Sequence, residues 1–410
     1  MGRRLYIINQ YAKTPATGAS NRHYELARGL AERGHDVTVV AAAFDHLVAE
    51  PVPVRHRYTV EQQGDGFRFA WVRVPPFRGA VSAGRVRAWL SFARALPGLP
   101  RVVGDAPHTI LYSSPSLIGW LGAAWLARRT GARLVFEVRD IWPLSLVEIA
   151  GVSPRHPFVR LLQRIEDMAY RRSHAVISNL PHAVEHMAER GLNRDRFTWI
   201  PNGCRLSNRR DEPLDGAVAE QLPDRPFLVG YTGTVGRANE VSALVGAASQ
   251  LQHRKDIGFV VVGDGTERAA LERRAAQEGL SNIAFVPPIP KSQIQSLLSR
   301  LQACYVGLQP QPLFRFGVSP NKLFDYMLAA RPILYGIDSG AYRPVSEAGA
   351  GLDVIPGDEA ALARAIERMA DMPVQERRAM GERARAALDD YDYARLALRL
   401  EAVVFPGERG

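Results

Sequence analysis

Cysteine is scarce: the 410 residues contain two, Cys204 and Cys304, with no CxxC pair and no adjoining His pair. This excludes a disulfide framework and a zinc site and leaves two thiols expected to be buried. Long apolar runs are missing as well. No stretch reaches the ~18 residues a membrane-spanning helix needs. The N-terminus MGRRLYIINQ lacks a full signal-peptide core and a small-residue cleavage site. The expectation is a soluble, cytoplasmic protein. There is no GK(S/T) phosphate-loop signature, no GxGxxG after the first apolar run and no zinc-finger pattern, which argues against a P-loop enzyme, a nicotinamide-dependent oxidoreductase and a nucleic-acid-binding protein.

What is present is ordinary globular material, with 46% apolar and 23% charged residues in a chain long enough for two domains. The formal charge of +10 is uneven. Residues 1–205 hold 28 Lys and Arg against 16 Asp and Glu, a net of +12, while the remainder hold 24 against 26, a net of −2. The two halves therefore face different partners, and charge alone does not choose among nucleic acid, anionic membrane and phosphorylated substrate.

The first half alternates apolar and amphipathic runs: LYIIN at 5–9, a helix near 20–33, VTVVAA at 37–42, TILYS at 109–113, a helix near 116–129 and RLVFEV at 133–138. The second repeats the pattern with FLVGYTG at 227–233, GFVVVG at 258–263, IAFVP at 283–287, CYVGL at 304–308 and PILYG at 332–336. Continuous apolar strands between helices predict parallel sheets buried on both faces. The expected architecture is α/β: an N-terminal Rossmann-like domain over 1–205, a linker near 203–225, and a second such domain over 222–389. Residues 390–410 form a helix returning to the first domain. Ligands of doubly wound sheets bind at the carboxyl ends of strands, so the two sheets are expected to face each other across a cleft.

Three glycine-bearing loops stand where strands pass into helices. Pro15–Asn21 is a small-residue loop whose backbone N–H groups can approach an anion or sugar closely. It ends in the capping residues Ser20 and Asn21, and Arg22 and His23 on the helix's first turn are expected to face substrate at the same cleft mouth, though an ordinary turn explains the loop equally well. Gly230–Glu240 (GYTGTVGRANE) combines glycines that expose backbone N–H groups with Thr234 and Arg237, a geometry suited to a diphosphate. Val262–Glu267 (VGDGTE) is a weaker signal of the same kind. In SPNKLFDYM, Ser319 reads as an N-cap, Pro320 as the first helical residue, and Leu323, Phe324 and Met327 as the apolar stripe. Lys322 can meet phosphate and Asp325 the ribose hydroxyls, or the two can simply pair with each other at i,i+3. Phe77–Val103 carries Arg78, Arg85, Arg87, Arg94 and Arg101 around Trp89, Leu90 and Phe92. It reads as a basic amphipathic helix for an anionic inner-membrane surface, or as an ordinary domain helix with Trp89 in the core.

In order and spacing, IPNG at 200–203, GYTGTVG at 230–236, VVGDGTE at 261–267 and SPNKLFDYMLAARPIL at 319–334 resemble the retaining GT-B glycosyltransferases of family 4. GASNRHYELARGLAERGHDVTV at 18–39 and EVRDIWP at 137–143 resemble a bacterial surface-polysaccharide subgroup that includes N-acetylfucosamine transferases. The resemblance implies that Gly233, Arg237, Ser319, Asn321 and Lys322 surround the donor diphosphate, with Leu323 adding a backbone N–H and Asp325 holding the ribose. It places the base against Gly263, Asp264 and Ile289, and Gly18 on the donor or acceptor side. It further implies a hexosyltransferase with a nucleotide-sugar donor, UDP favoured, carrying an N-acetylated hexosamine to a lipid-linked or glycan acceptor, with no metal and no cofactor. A nonhydrolysing sugar-nucleotide epimerase shares the architecture and is the rival reading.

Two departures from the family pattern stand out. Its E-x7-E spacing becomes Gly317 and Asp325, and many members carry His where this chain has Arg139. Arg139 and Asp140 are accordingly assigned to the sugar or acceptor rather than to proton relay, since Arg is not a base near neutral pH; a strand-end ion pair is the structural alternative.

Overall fold

A computed structural model describes residues 2–18, 22–44, 52–54, 56–77, 79, 82–207 and 211–407. Ser20, Asn21 and Arg78 lie outside them. The chain forms two compact units, Met1–Asn202 with Tyr393–Gly410, and Gly203–Asp392.

The first unit holds strands β1 (Arg4–Ile8), β2 (Asp36–Ala42), β3 (Tyr58–Gln62), β4 (Arg68–Val72), β5 (Thr109–Ser113), β6 (Arg133–Val138), β7 (Ala175–Ser178) and β8 (Phe197–Trp199). Their order in the sheet is β3-β4-β2-β1-β5-β6-β7-β8. Each neighbouring pair runs parallel except β3 and β4. The winding reverses between β1 and β5, and this switch point is where such sheets bind ligands. The antiparallel β3 departs from the all-parallel expectation. It joins β4 through the Gln63–Phe67 turn, where Gly66 takes φ +85°. Its residues are half-buried or exposed, so it lacks the continuous apolar run that marks the other strands.

Helices α1 (Arg22–Ala31), α2 (Ala83–Ala95), α3 (Leu117–Thr130) and α4 (Pro157–Arg172) belong to this unit. The last three pack side by side, α2 on α3 and α3 on α4. On α4 the buried Val159, Leu162, Ile165, Ala169 and Tyr170 follow helical spacing, and Pro157 opens the helix, where a missing N–H costs nothing. The stretch 77–103 is not one helix. After Ala95 it passes into a tight turn at Leu96–Gly98 and a short helix at Pro100–Val103, because Pro97 and Pro100 cannot donate to a continuing ladder. Trp89 is a core residue, 2% exposed, donating its indole N–H to Tyr11 Oη at 2.7 Å. Arg85 lies over the Tyr11, Trp89 and Trp142 rings at 5.6, 5.1 and 5.5 Å. Of the two readings of this helix, the one with Trp89 in the core is the one observed, and Arg85 packs over it.

Helix α5 (Asn321–Leu328) belongs to the second unit, and α6 (Tyr393–Val404) returns to the first. There α6 lies on α1, its Ala397 against Gly29, where an added Cβ would sit 2.6 Å from the alanine methyl. Leu396, Leu400 and Val404 join Leu5, Leu26 and Leu30 in one core. Glu401 holds His35 at 2.7 Å, and Thr109 Oγ1 donates to the Val404 carbonyl at 2.7 Å.

The second unit's strands are β9 (Phe227–Thr232), β10 (Ile257–Val262), β11 (Ile283–Val286), β12 (Ala303–Gly307), β13 (Ile333–Gly336) and β14 (Gly351–Asp353). They run parallel in the order β11-β10-β9-β12-β13-β14, with the switch point between β9 and β12. Residues read as a linker start this unit instead. Cys204 N–H donates to the Tyr391 carbonyl at 3.1 Å, and Leu206, Leu214, Val218 and Leu222 pack against its core. Cys204 and Cys304 are both buried, neither in a disulfide, and burial pushes the Cys304 thiol up.

Candidate substrate-binding sites

At the carboxyl end of the second sheet, the loops after β9 and β10 are tied together through backbone alone. Gly233 N–H donates to the Val262 carbonyl at 2.9 Å, Val235 N–H to Asp264 at 2.8 Å, and Glu267 N–H to Val235 at 3.1 Å. Gly263 is required for this approach: its φ is +142° and an added Cβ would stand 1.9 Å from the Gly233 carbonyl oxygen. Gly263→Ala is therefore expected to part the two loops and lower the melting temperature, read by circular dichroism. Asp264 is exposed and spends Oδ1 on the Gly265 N–H at 2.7 Å, so its carboxylate shapes its own turn. Thr234 and Arg237 are exposed, Arg237 opening a single tight turn through Asn239.

Helix α5 begins beside this pair of loops. Pro320, not Ser319, occupies the N-cap, with φ −73° and ψ 127°, and no side chain caps the helix. Ser319 lies one residue too early because the proline's ring fixes the extended entry. The Leu323 N–H predicted for phosphate already donates to the Pro320 carbonyl at 3.1 Å, so the first-turn donors without a side-chain cap are those of Asn321 and Lys322. Buried Leu323, Phe324, Tyr326 and Met327 anchor the helix, and Thr232 N–H donates to Tyr326 Oη at 2.9 Å.

Lys322 and Asp325 do not pair with each other. The Lys322 ammonium donates to Tyr231 Oη and Asn239 Oδ1, each at 2.8 Å, and sits 4.5 Å from the Tyr231 ring centroid. Its Cε would be 3.3 Å from a Cβ on Gly233, which has φ +131°. Burial pushes its pKa down to about 8. Asp325 instead meets Lys291, an exposed residue just past β11, and Gln295 Nε2 donates to its backbone carbonyl at 3.1 Å. Ile289 is half-buried against the core. Sequence reasoning missed Tyr231, Asn239 and Lys291, since no local spacing marks them as partners of α5.

In the first unit the carboxyl ends of β1, β5 and β6 converge on a buried carboxylate, Glu137. Arg22 Nε and Nη2 each stand 2.9 Å from Glu137 Oε1, and His23 Nε2 is 2.7 Å from Oε2 and 3.1 Å from Ser113 Oγ. Arg22 also donates to the carbonyls of Ile200, at 2.7 Å, and Pro201. Asn9 Nδ2 donates to Ser113 Oγ and the Ser114 carbonyl, each at 2.9 Å. Burial alone would raise Glu137, but Arg22, His23 and Arg139 overcome it and hold the carboxyl well below its usual range. Burial also pushes His23 down, against the pull of Glu137. Arg22 and His23, predicted to face substrate, are each 2% exposed and committed to this network, which corrects that expectation. A glutamate inside the apolar run RLVFEV was the signal that could have found it.

Arg139 and Asp140 form no ion pair either. Asp140 is exposed and accepts from Ser145 Oγ at 2.6 Å and Trp142 Nε1 at 2.9 Å. Arg139 donates its backbone N–H to Ser114 Oγ at 2.9 Å, but its side-chain Nε is buried with no hydrogen-bond partner. Gly18 closes a turn by donating to the Thr14 carbonyl at 3.1 Å, over the side chain of Lys13. Among the described residues no three His, Cys, Asp or Glu side chains are placed to hold a metal ion, and no helix is long and apolar enough to cross a membrane.

Residues 17–203 match the family described as Glycosyl transferase 4-like domain, and residues 226–372 the family described as Glycosyl transferases group 1. Similar proteins include 2-deoxystreptamine glucosyltransferase of Streptomyces kanamyceticus, 30% identical over 339 residues, covering 68% of this chain and 83% of that protein. Another, named "Probable glycosyltransferase WbjE", of Pseudomonas aeruginosa, is 26% identical over 288 residues, 68% of each chain. Among solved structures, sucrose-phosphate synthase of Thermosynechococcus elongatus superposes with TM-score 0.73 at 18% identity over 97% of both chains. Anabaena HepE, in complex with UDP and glucose, gives 0.68 at 16% identity over 97% of this chain and 98% of that one.

Proposed function

Because the chain belongs to the glycosyltransferases of GT-B fold, we propose that it transfers a hexosyl group from a nucleotide-diphosphate donor, with retention, to a lipid-linked or glycan acceptor in surface-polysaccharide assembly. A UDP-linked N-acetylhexosamine is the favoured donor, and metal is not required. The observation that carries this reading is the partly buried Lys322 ammonium at the uncapped start of α5, against the backbone of Gly233. A desolvated cation beside first-turn N–H donors suits the charge that develops on a departing diphosphate.

In this reading the acceptor oxygen bonds to the sugar's anomeric carbon as the bond to the diphosphate breaks, and the acceptor proton passes to a diphosphate oxygen. Lys322, Arg237, Ser319 and the Asn321 N–H hold that leaving group. Asp325 takes the ribose once Lys291 gives way, and the base lies against Gly263 and Ile289. On the first unit, Arg139 meets the sugar or acceptor: its buried Nε has no partner, and an unsatisfied buried donor costs free energy that a ligand oxygen recovers. Asp140 lies beside it. The name of WbjE, a probable glycosyltransferase, supports transfer of a sugar, and HepE, solved with UDP and glucose, supports a nucleotide donor.

Thermal melting with UDP, GDP, ADP and NAD, with and without EDTA, tests the reading. A saturating diphosphate should stabilise the native state by roughly 2–3 kcal/mol, raising the melting temperature by about 5–10 °C, EDTA making no difference. No response to any nucleoside diphosphate would sink the donor site. Product formation without an acceptor would point to the epimerase.

A further inference from the structure

The excess positive charge of the first half has a location. Helices α2, α3 and α4 lie side by side on one face of the first sheet, and their outward sides carry Arg87 and Arg94, Arg128 and Arg129, and Arg160 and Arg164, all exposed. No acidic residue occurs in α2 or α3. The two in α4 are Glu166, 1% exposed, and Asp167, paired with Arg190 at 3.0 Å. The three helices therefore carry exposed arginines and no exposed, unpaired carboxylate of their own.

It is also apolar in an unusual way. Leu90, Leu121, Trp125 and Leu161 are 44, 40, 50 and 49% exposed. They make up four of the nine large hydrophobic side chains exposed among the described residues, all on these three helices. Leu121 and Trp125 share one side of α3 with Arg128 by helical spacing, and the Arg129 guanidinium stands 4.7 Å from the Trp125 ring centroid. Between α3 and α4 runs an open groove of about 460 Å³, lined by Trp120, Leu121, Trp125, Arg128, Met168 and Arg172.

We propose that this three-helix face docks the protein on an anionic phospholipid bilayer, with Trp125, Leu121 and Leu161 entering the headgroup and acyl boundary and the surrounding arginines paired with lipid phosphates. Charge complementarity selects the occupant: arginine is matched to phosphate, and exposed Trp and Leu have an apolar destination in a bilayer that a soluble polyanion lacks. Basic side chains are drawn to an anionic surface over about a Debye length. Several such charges with one aromatic give reversible attachment. The transferase reading above supplies the purpose of this docking but none of its evidence.

Co-sedimentation of the full chain with large vesicles tests it. Vesicles containing phosphatidylglycerol should bind the protein at least about tenfold more tightly than phosphatidylcholine vesicles, and high salt should weaken binding. Arg128→Glu with Arg129→Glu, and separately Trp125→Ser, should each lower the partition coefficient about tenfold. UDP-induced thermal stabilisation, read on the same samples, should stay as in the parent. These substitutions lie outside the nucleotide site, so a UDP response lost in the parent protein as well defeats the donor assignment and leaves the docking result standing. Absence of binding to phosphatidylglycerol vesicles overturns the proposal. So does vesicle binding unchanged in both variants, or heparin binding that survives Trp125→Ser while vesicle binding never appears, which would mark a polyanion site.

Discussion

Lys322→Ala is expected to lower kcat/KM by about 10²–10³-fold, the cost of removing one preorganised charge from a developing anion, and to erase the melting shift with UDP. The same change should not destabilise the unliganded protein. Lys322 titrates near 8, below its ordinary 10.5, so the folded state holds this proton less firmly than the unfolded chain does. Unfolding thus takes up a proton in that window, and stability rises as pH climbs from about 8 toward 10.5. Below 8 the buried ammonium is a standing cost. A neutral side chain relieves it, so Lys322→Met should melt at or above the parent temperature at pH 7 while losing nucleotide. Diphosphate binding needs the charged form, so affinity should decline above about pH 8. The chain has only four lysines, Lys13, Lys255, Lys291 and Lys322, so their ε-carbons can be followed individually by NMR in protein made with 13C-labelled lysine. An unperturbed Lys322 titration, or full turnover in the alanine variant, would remove this residue from the mechanism.

Glu137→Ala should be the most destabilising single change in the first unit. Arg22 is 2% exposed and Glu137 is fully buried, so losing the carboxylate strands a guanidinium away from water. Breaking a buried pair from one side costs about 3–5 kcal/mol, or roughly 10 °C of melting temperature for a domain of this size. Glu137→Gln, which keeps the oxygen toward Arg22 or His23, should cost less. The network also makes the unit acid-sensitive. His23 has a folded value below its unfolded one near 6.5, so stability is lost as pH falls through that value. Glu137 is depressed, so its contribution is present above about 4.3 and disappears as pH falls through its folded value. Both act in the same direction. Circular dichroism melts between pH 7 and 4 check this, and a pH-independent melting temperature would contradict it.

Much of the scaffold was legible because buried parallel strands write themselves as uninterrupted apolar runs. TILYS, RLVFEV, GFVVVG and PILYG each correspond to an observed strand to within a residue or so. Strand β3 escaped notice because a half-exposed edge strand has no such run; β4, with its buried FAWV at 69–72, carries the run and was passed over. The glycines of the 230–236 and 261–267 loops were visible as turn chemistry, but that Gly263 must be glycine because of Gly233 is a fact about two chain segments meeting. Partnerships at long separation were illegible for the same reason. Nothing near Arg22 announces Glu137, and nothing in the 77–103 stretch says that Arg85 will be enclosed by Tyr11, Trp89 and Trp142. The basic apolar face is an extreme case: each helix contributes one or two exposed hydrophobic residues, and only their alignment in one layer makes a surface. Capping went astray at Ser319 because one proline moves the helix start by a residue.

The return of α6 to the first unit bears on how the protein is made. A ribosome delivers Leu5, Leu26 and Leu30 before residues 203–392, and Leu396, Leu400 and Val404 after them. Residues 203–392 emerge whole in between, and near their two ends Cys204 N–H bonds to the Tyr391 carbonyl. The domain begun first is finished second, waiting with an apolar flank uncovered until α6 emerges, while the domain begun second can close on itself at once. A stop codon or a nick just before Tyr393 would therefore injure the half of the molecule encoded farthest from it.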